Sequence, residues 1–170
     1  MKYIIAVIVC ILIVPMQSCA ETSSTAESLG RKLIGIWQNG NIEDLGAIVS
    51  ENAVYEAAQQ NHAYKGLEQF GSYVGHLSKF AKDLKIDVLS LNSSKTTATI
   101  EWVMTGIQDR PIPGSIEIGT NKEFKVKGVT LIEVKDGLIT KATDYMDVLG
   151  FVIQLGARVE LPGGVVLEMK

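Results

Sequence analysis

The 170-residue sequence has only two cysteines, Cys10 and Cys19, and both lie within its first twenty residues. The rest of the chain therefore has no thiol with which to form a disulfide framework or a cysteine-based zinc site. Histidine is equally scarce, and the spacing of His62 and His76 does not suit a pair of metal ligands. The sequence accordingly predicts no metal and no bound cofactor.

Clustered positive charge is also missing. The chain has 16 Lys and Arg residues against 19 Asp and Glu residues, and no basic cluster or aromatic-basic stripe occurs. Nucleic-acid binding needs such a surface because much of its affinity comes from contacts with phosphates. The chain also lacks a nucleophile–base–acid triad and a phosphate-binding glycine loop. We therefore expect no nucleic-acid partner.

One long hydrophobic run is present, at residues 4–14, and it follows the positively charged Lys2. About a dozen apolar residues are too few to span a bilayer, which needs about 20, but they are typical of an export signal. Pro15 ends the run, and a polar segment follows it. We expect residues 1–19 to be a signal peptide and residues 20–25 a polar tether, with the protein exported to the bacterial cell envelope.

Two processing sites fit the end of this segment. Ser18 and Cys19 resemble the end of a bacterial lipobox, although Met16 and Gln17 depart from its usual residues. We favour this interpretation, which leaves Cys19 lipidated and the protein anchored to the membrane. Ser18 and Ala20 also fit an ordinary signal peptidase site, which would give a soluble secreted or periplasmic protein. An uncleaved anchor is the third alternative.

Helical and strand patterns divide the remaining chain. Helical spacing of apolar residues predicts helices over about 29–39, 42–49, 66–81 and 148–157. Alternation and β-branched residues predict strands at 53–58, 84–91 and 96–106, and a hairpin over 123–147 that turns at Asp136-Gly137. Polar turn residues occupy 59–66, and a long loop covers 108–122.

This order of elements predicts the fold class. Helices, a strand, a helix, long antiparallel strands and a closing helix indicate an α+β domain over residues 26–157. We expect its curved antiparallel sheet to carry the helices on one face. Residues 158–170 are predicted to be a C-terminal tail.

Three segments resemble one protein family. The first begins at Asp147 and matches a D-x-x-G-hydrophobic-x-x-Q-L-G ending through Gly150, Phe151 and 154–156. The second comprises Thr105-Gly106, Thr120-Asn121-Lys122 and Gly128, similar to a T-G-T-H…T-G-K…G segment, and the third is the hairpin at 135–139. These residues resemble the SnoaL-like branch of the nuclear transport factor 2-like superfamily, which includes polyketide cyclases and ester cyclase homologues.

The resemblance implies a cone-shaped curved sheet with helices on its concave face and a cavity between the two. It implies no single activity, because members range from enzymes to binding modules. One departure from the motif bears on chemistry, since Gln108 stands near the position of the family's histidine. A carboxamide cannot exchange a proton near neutral pH. One member of a proton-transfer pair has therefore been lost, and we predict that Gln108 contacts a ligand instead.

Asp147 is the candidate catalytic residue by resemblance to the cyclases. A carboxylate desolvated by Met146, Phe151 and Trp102 would have a raised pKa, suited to moving a proton at an α-carbon. Asp147 also fits the N-cap of the closing helix, and capping alone would explain its presence.

Strand alternation places Thr143, Tyr145 and Asp147 on one face of the last long strand, unless a bulge intervenes. Asp144 then faces the other way, and we expect it to be solvated. Four aromatic or sulfur-containing side chains are candidate ligand contacts on the cavity wall, and for the first three ordinary core packing is the alternative: Tyr55, Trp102, Met104 and Tyr145.

The leading functional hypothesis is therefore an exported domain whose cavity binds a small hydrophobic molecule. The first alternative is a SnoaL-like cyclase or isomerase that uses a cavity carboxylate for proton transfer at an enolisable carbonyl compound. The second is a protein-interaction module. This module would dimerise through the open face of the sheet, and we expect the protein to be a homodimer.

Overall fold

The computed structural model describes residues 25–112 and 115–169. The predicted signal peptide, nearly all of the predicted tether and the predicted lipidation site Cys19 lie outside the described residues. None of the helices in the described ranges is both long and apolar enough to cross a membrane.

The described residues form three α-helices: α1 (Thr25–Asn39), α2 (Gly66–Leu77) and α3 (Val148–Gln154). Helix α1 stops where Gly40 adopts a φ of 72°, a left-handed conformation that glycine adopts without strain. The second predicted helix is a 3-10 turn at Ile42–Ala47. The closing helix ends at Gln154, three residues earlier than expected.

Six strands form the main sheet: β1 (Val49–Ala57), β2 (His62–Lys65), β3 (Lys82–Ser93), β4 (Thr97–Gln108), β5 (Lys122–Lys135) and β6 (Leu138–Met146). Their order across the sheet is β2-β1-β6-β5-β4-β3. Every neighbouring pair is antiparallel except β1 and β6, which are parallel. The predicted α+β class with a curved, mainly antiparallel sheet is confirmed.

Two segments contain strands that the sequence did not predict. The polar segment 59–66 holds a second 3-10 turn, Ala58–Gln60, followed by β2. The predicted tail forms a small separate hairpin from β7 (Val159–Glu160) and β8 (Val166–Leu167).

The helices pack on one face of the sheet, and the core lies between them. Helix α1 contacts β3, β4 and β5, α2 contacts β1 and β2, and α3 contacts β5. The long strands alternate so that one side faces this core. On β5, for example, the residues from Phe124 to Val134 are buried at every second position. The opposite face exposes Leu131 and Tyr145, at 40% and 54%, and the predicted homodimer interface on that face stays a prediction.

Trp102 anchors the centre of this core. Its indole is 2% exposed, and its Nε1 donates to Thr130 Oγ1 at 2.9 Å. The ring lies against Gly128 on β5, where an added Cβ would stand 2.3 Å from the indole. Its edge meets Trp37 of α1, with ring centroids 5.9 Å apart. Trp102 is thus held by packing on several sides and joins helix to sheet.

Candidate functional site

A carboxyl group is buried at the centre of the structure. Asp144 on β6 is only 2% exposed, and its Oδ2 accepts from Tyr73 Oη and from Gln59 Nε2, both at 3.4 Å. Asp144 Oδ1 is buried and has no hydrogen-bond partner, and the nearby hydroxyl of Tyr55 is in the same condition. Asp144 takes part in no salt bridge within the described part of the chain. The donors that the described residues supply to this carboxyl are therefore neutral.

Burial in this environment changes its acidity. Desolvation raises the pKa of Asp144 to about 6, while the donors Tyr55, Gln59 and Tyr73 oppose the rise by stabilising the charged form. Tyr55 Oη is thus close enough to influence Asp144, although it does not meet the distance and angle of a formed hydrogen bond. The pKa of Asp144 therefore lies well above the ordinary value of an aspartate.

The pKa values of the two neighbouring tyrosines are shifted in the same direction. Burial, followed by the charge of Asp144, raises the pKa of Tyr55 and that of Tyr73 well above the ordinary value. Both phenols therefore stay protonated at neutral pH and remain available as hydrogen-bond donors. Their rings are 4.7 Å apart by centroid, and the ring of Tyr64 lies a further 4.7 Å beyond Tyr73. The site is an aromatic column beside a single carboxyl group.

A β-bulge in β6 explains why Asp144 faces inward. Val134 pairs with Ile139, but the residue before it on β5, Glu133, pairs with Lys141. Thr140 is therefore an extra residue in β6. Beyond the bulge the inward positions become Ala142 and Asp144, both buried. The expectation that Asp144 is solvated was wrong, because the bulge reverses the alternation counted from Ile139.

The same bulge moves Tyr145 away from the site. Tyr145 was expected on the cavity wall, but it lies on the outer face of the sheet and is 54% exposed. Lys141, which is polar, and Ala142, which is small and apolar, already carry the true phase of the strand in the sequence. Extending that local pattern, rather than the pattern of the earlier half of β6, would have predicted the inward side chain of Asp144.

A cavity of about 610 Å³ opens in front of this carboxyl, between α2, α3, the 58–60 turn and the sheet. That volume falls within the usual range for small-molecule sites. Much of its lining is apolar, contributed by Phe80, Met104, Met146, Phe151 and Val152. Gln59 and Tyr73 also line it, and both contact Asp144 Oδ2 from the other side. Asp144 therefore lies immediately behind the cavity wall.

The other candidate residues have varied positions. Met104 lies on the cavity wall, as expected. Tyr55 is fully buried beside Asp144, behind the residues that line the cavity. Trp102 belongs to the core and is absent from the lining.

Gln108 does not face the cavity either. Its Nε2 donates to the carbonyls of Arg110 and Ile118, at 2.5 and 2.9 Å, and its Oε1 accepts from Thr120 N at 2.7 Å. The carboxamide thus holds together the two ends of the loop between β4 and β5. The predicted ligand contact at Gln108 is replaced by a structural role that imidazole, with two ring nitrogens, could not fill.

Asp147 caps helix α3. Its Oδ1 accepts from Gly150 N at 2.8 Å, and the residue is exposed. The predicted desolvation of this carboxylate is therefore wrong, whereas the alternative capping role is confirmed. The sequence also gave no sign of Gln59 or Tyr73 as partners of an acid, because each comes from a distant segment. No group of three or more His, Cys, Asp or Glu side chains in the described ranges is placed to hold a metal ion.

The buried carboxyl predicts a specific dependence of stability on pH. The folded-state pKa of Asp144, about 6, exceeds an unfolded value of about 3.9, so the folded state binds this proton more tightly. Ionisation of Asp144 therefore lowers the free energy of unfolding of the protein as the pH rises from about 4 to about 6. We expect Asp144→Asn to gain stability relative to the parent over that range, by roughly 3 kcal/mol at the plateau.

Urea unfolding of both proteins across this pH range measures the difference. The matched control is Asp136→Asn, at the exposed hairpin turn, where asparagine also tolerates the positive φ. This variant should show no such trend. A constant difference between Asp144→Asn and the parent at every pH would contradict the assigned burial.

Comparisons with known proteins agree with this architecture. The family model of the SnoaL-like domain matches residues 31–142, more than half of the chain. No curated protein matches the sequence significantly. TsrD from Streptomyces laurentii is similar in structure, with a TM-score of 0.68 and 21% identity, over 78% of this chain and 96% of that chain.

Two other solved structures show the same likeness. A Jannaschia sp. CCS1 protein described as a SnoaL-like polyketide cyclase gives a TM-score of 0.66 at 18% identity, covering 78% of this chain and 94% of that chain. A Catenulispora acidiphila protein with a ketosteroid isomerase-like fold gives 0.61 at 19% identity, covering 74% and 90%. Identities this low show the fold alone. With the family match, they establish that the chain belongs to the SnoaL-like domain family.

Proposed function

We propose that the protein is a proton-transfer enzyme of the cyclase or isomerase type, with Asp144 as its acid–base residue. The observation that supports this most strongly is the buried carboxyl itself, which lies just behind an apolar cavity with a pKa near neutrality. A general base is most effective when its pKa lies near the working pH. The substrate would be a small, largely apolar compound with an enolisable carbonyl group. Its apolar part would pack against the cavity lining, and its acidic C–H group would face Asp144.

The reaction follows from the groups present. The Asp144 carboxylate removes a proton from the carbon next to the substrate's carbonyl group, and the electron pair moves onto the carbonyl oxygen as an enolate forms. Tyr73 Oη and Gln59 Nε2 line the cavity, and each can donate a hydrogen bond to that oxygen when it releases Asp144 Oδ2. In an isomerisation, the protonated Asp144 then gives the proton to a different carbon of a conjugated enolate. In a cyclisation, the enolate carbon attacks a second carbonyl group, and Asp144 gives the proton to the alkoxide oxygen that forms there.

Binding without turnover is the second candidate. It is favoured by the position of Asp144, because this residue is almost fully buried and does not itself line the cavity. The apolar wall would then bind a small hydrophobic molecule, and the carboxyl would only orient a polar end of it.

Hydrogen exchange in D2O distinguishes the two candidates. We expect the protein to incorporate deuterium beside the carbonyl of some members of a panel of cyclic ketones and β-diketones, measured by NMR. Asp144→Asn removes the base and should lower this rate by roughly 10²–10⁴-fold. Asp136→Asn is the matched control and should retain the parental rate.

Asp147→Asn tests the competing assignment. Asparagine caps a helix about as well as aspartate, so this variant should fold normally and exchange like the parent. Exchange that is lost in Asp147→Asn but retained in Asp144→Asn would transfer the role to Asp147. No exchange by the parent with any compound of the panel would favour binding alone.

We also propose that the protein is exported and anchored to the membrane through lipid on Cys19. The proposal is supported by the apolar run at 4–14, by the Ser18-Cys19 pair and by the polar residues that follow. Two or three acyl chains on one cysteine are enough for stable anchoring, whereas one is not.

Detergent-phase partitioning and mass spectrometry of the N-terminus test the anchor. In a bacterial host, the parent should fractionate with membranes, and Cys19→Ser should be released or left unprocessed. Cys10→Ser, within the hydrophobic run, is the matched control and should behave like the parent. If Cys19→Ser is processed and located like the parent, the ordinary signal peptidase site is used instead.

A further inference from the structure

Gln59 stands between the buried carboxyl and the cavity. It lies on the 3-10 turn Ala58–Gln60, which joins β1 to β2, and its side chain both lines the cavity and contacts Asp144 Oδ2. Its backbone neighbours Ala58 and Gln60 are exposed. The side chain thus reaches inward from a surface turn to meet the most deeply buried acid of the site.

The contacts of this carboxamide are incomplete. Gln59 Nε2 donates to Tyr73 Oη at 2.9 Å, but its distance to Asp144 Oδ2 is 3.4 Å, long for a hydrogen bond to a charged acceptor. Gln59 Oε1 is buried without any partner. A buried, unsatisfied carbonyl disfavours the position in which it is held. A different conformation of the Gln59 side chain, in which Oε1 accepts a hydrogen bond, therefore competes with the conformation that covers Asp144.

The turn allows such a change without movement of the sheet. The β1–β2 pairing ends at Ala57 and His62, so Gln59 is outside the ladder. The turn closes through Asn61, whose φ of 50° is left-handed, and Gln60 Oε1 is separately held by Tyr64 Oη at 3.0 Å. Rotation of the Gln59 side chain breaks two side-chain hydrogen bonds and no strand pairing.

We infer that the Gln59 carboxamide is a movable cover over Asp144, which leaves the carboxylate and donates instead to a carbonyl oxygen of the bound molecule. The inference rests on the proposed function and names a residue that selects its substrates. A ligand with a carbonyl group near the wall replaces the bond that Nε2 gives up. A hydrocarbon of the same size does not, and it leaves Asp144 covered.

Chemical labelling of carboxyl groups tests the cover without any substrate. The full-length protein is treated with a water-soluble carbodiimide and glycine ethyl ester, and the tryptic peptide 142–158 is sequenced by mass spectrometry. This peptide contains both Asp144 and the exposed Asp147, which serves as an internal reference. In the parent, Asp147 should be labelled much faster than Asp144.

Variants of Gln59 should change this ratio in a defined way. Gln59→Ala removes the cover, and Gln59→Asn shortens it by one methylene group, so each should raise the labelling of Asp144 relative to Asp147 by about tenfold, the factor expected when one or two net hydrogen bonds are lost. Gln59→Leu keeps the volume and should leave Asp144 protected. Gln60→Ala, on the same turn, is the matched control for protection and should also leave it unchanged.

The exchange assay adds a second, independent readout. Gln59→Leu keeps the carboxyl covered and cannot donate to a substrate oxygen, so the deuterium incorporation defined above should fall by about 10²-fold. If the parent shows no exchange but the labelling ratios follow this pattern, the proposed function fails and the cover stands. If exchange depends on Asp144 while Gln59→Ala and Gln59→Asn label like the parent, the cover is refuted. Equal labelling of Asp144 and Asp147 in the parent would refute it as well.

Discussion

The structure depends on one costly arrangement, the burial of a carboxyl group without a cation to neutralise it. Moving a charged carboxylate out of water is strongly unfavourable unless it is paired or can take up a proton. Here the partners are neutral, with Tyr73 from α2 and Gln59 from a surface turn, while Tyr55 from β1 lies close by. The group therefore stays ionisable and weakly basic at neutral pH.

The surrounding elements hold that arrangement in place. Trp102, Thr130 and Gly128 join the central strands to α1 through packing and one buried hydrogen bond. The rings of Phe80, Phe124 and Phe151 meet with centroids between 5.1 and 6.0 Å apart and fix α3 against the sheet. This packing fixes the strands and the helix from which the lining side chains of the cavity extend.

Much of the fold follows from local sequence signals. Asp136 and Gly137 adopt φ values of 52° and 81°, both positive as a two-residue hairpin turn of this type requires, and Asn121 is left-handed at 55°. The capping role of Asp147 was also visible, since an acid directly before a helical run is a strong N-terminal signal. These features are encoded within a few residues, so a single sequence is sufficient to predict them.

The site was less accessible to sequence reasoning because it depends on the phase of one strand. A single extra residue, Thr140, exchanges the inward and outward faces of the second half of β6 and brings Asp144 rather than Tyr145 to the interior. Its partners come from segments 71 and 85 positions away in the chain, too far for any local pattern. The role of Gln108 was missed for a related reason. Its three hydrogen bonds are made to the backbone of the loop that follows β4, and composition alone does not reveal them.

The central claim is that Asp144 is a buried acid that titrates near neutral pH. Carbon-13 NMR of the aspartate side-chain carboxyls as a function of pH tests it most directly, with the Asp144 resonance identified by its absence from Asp144→Asn. The account predicts a midpoint of about 6 for this resonance. A midpoint for Asp144 at the ordinary aspartate value of about 3.9 would contradict it.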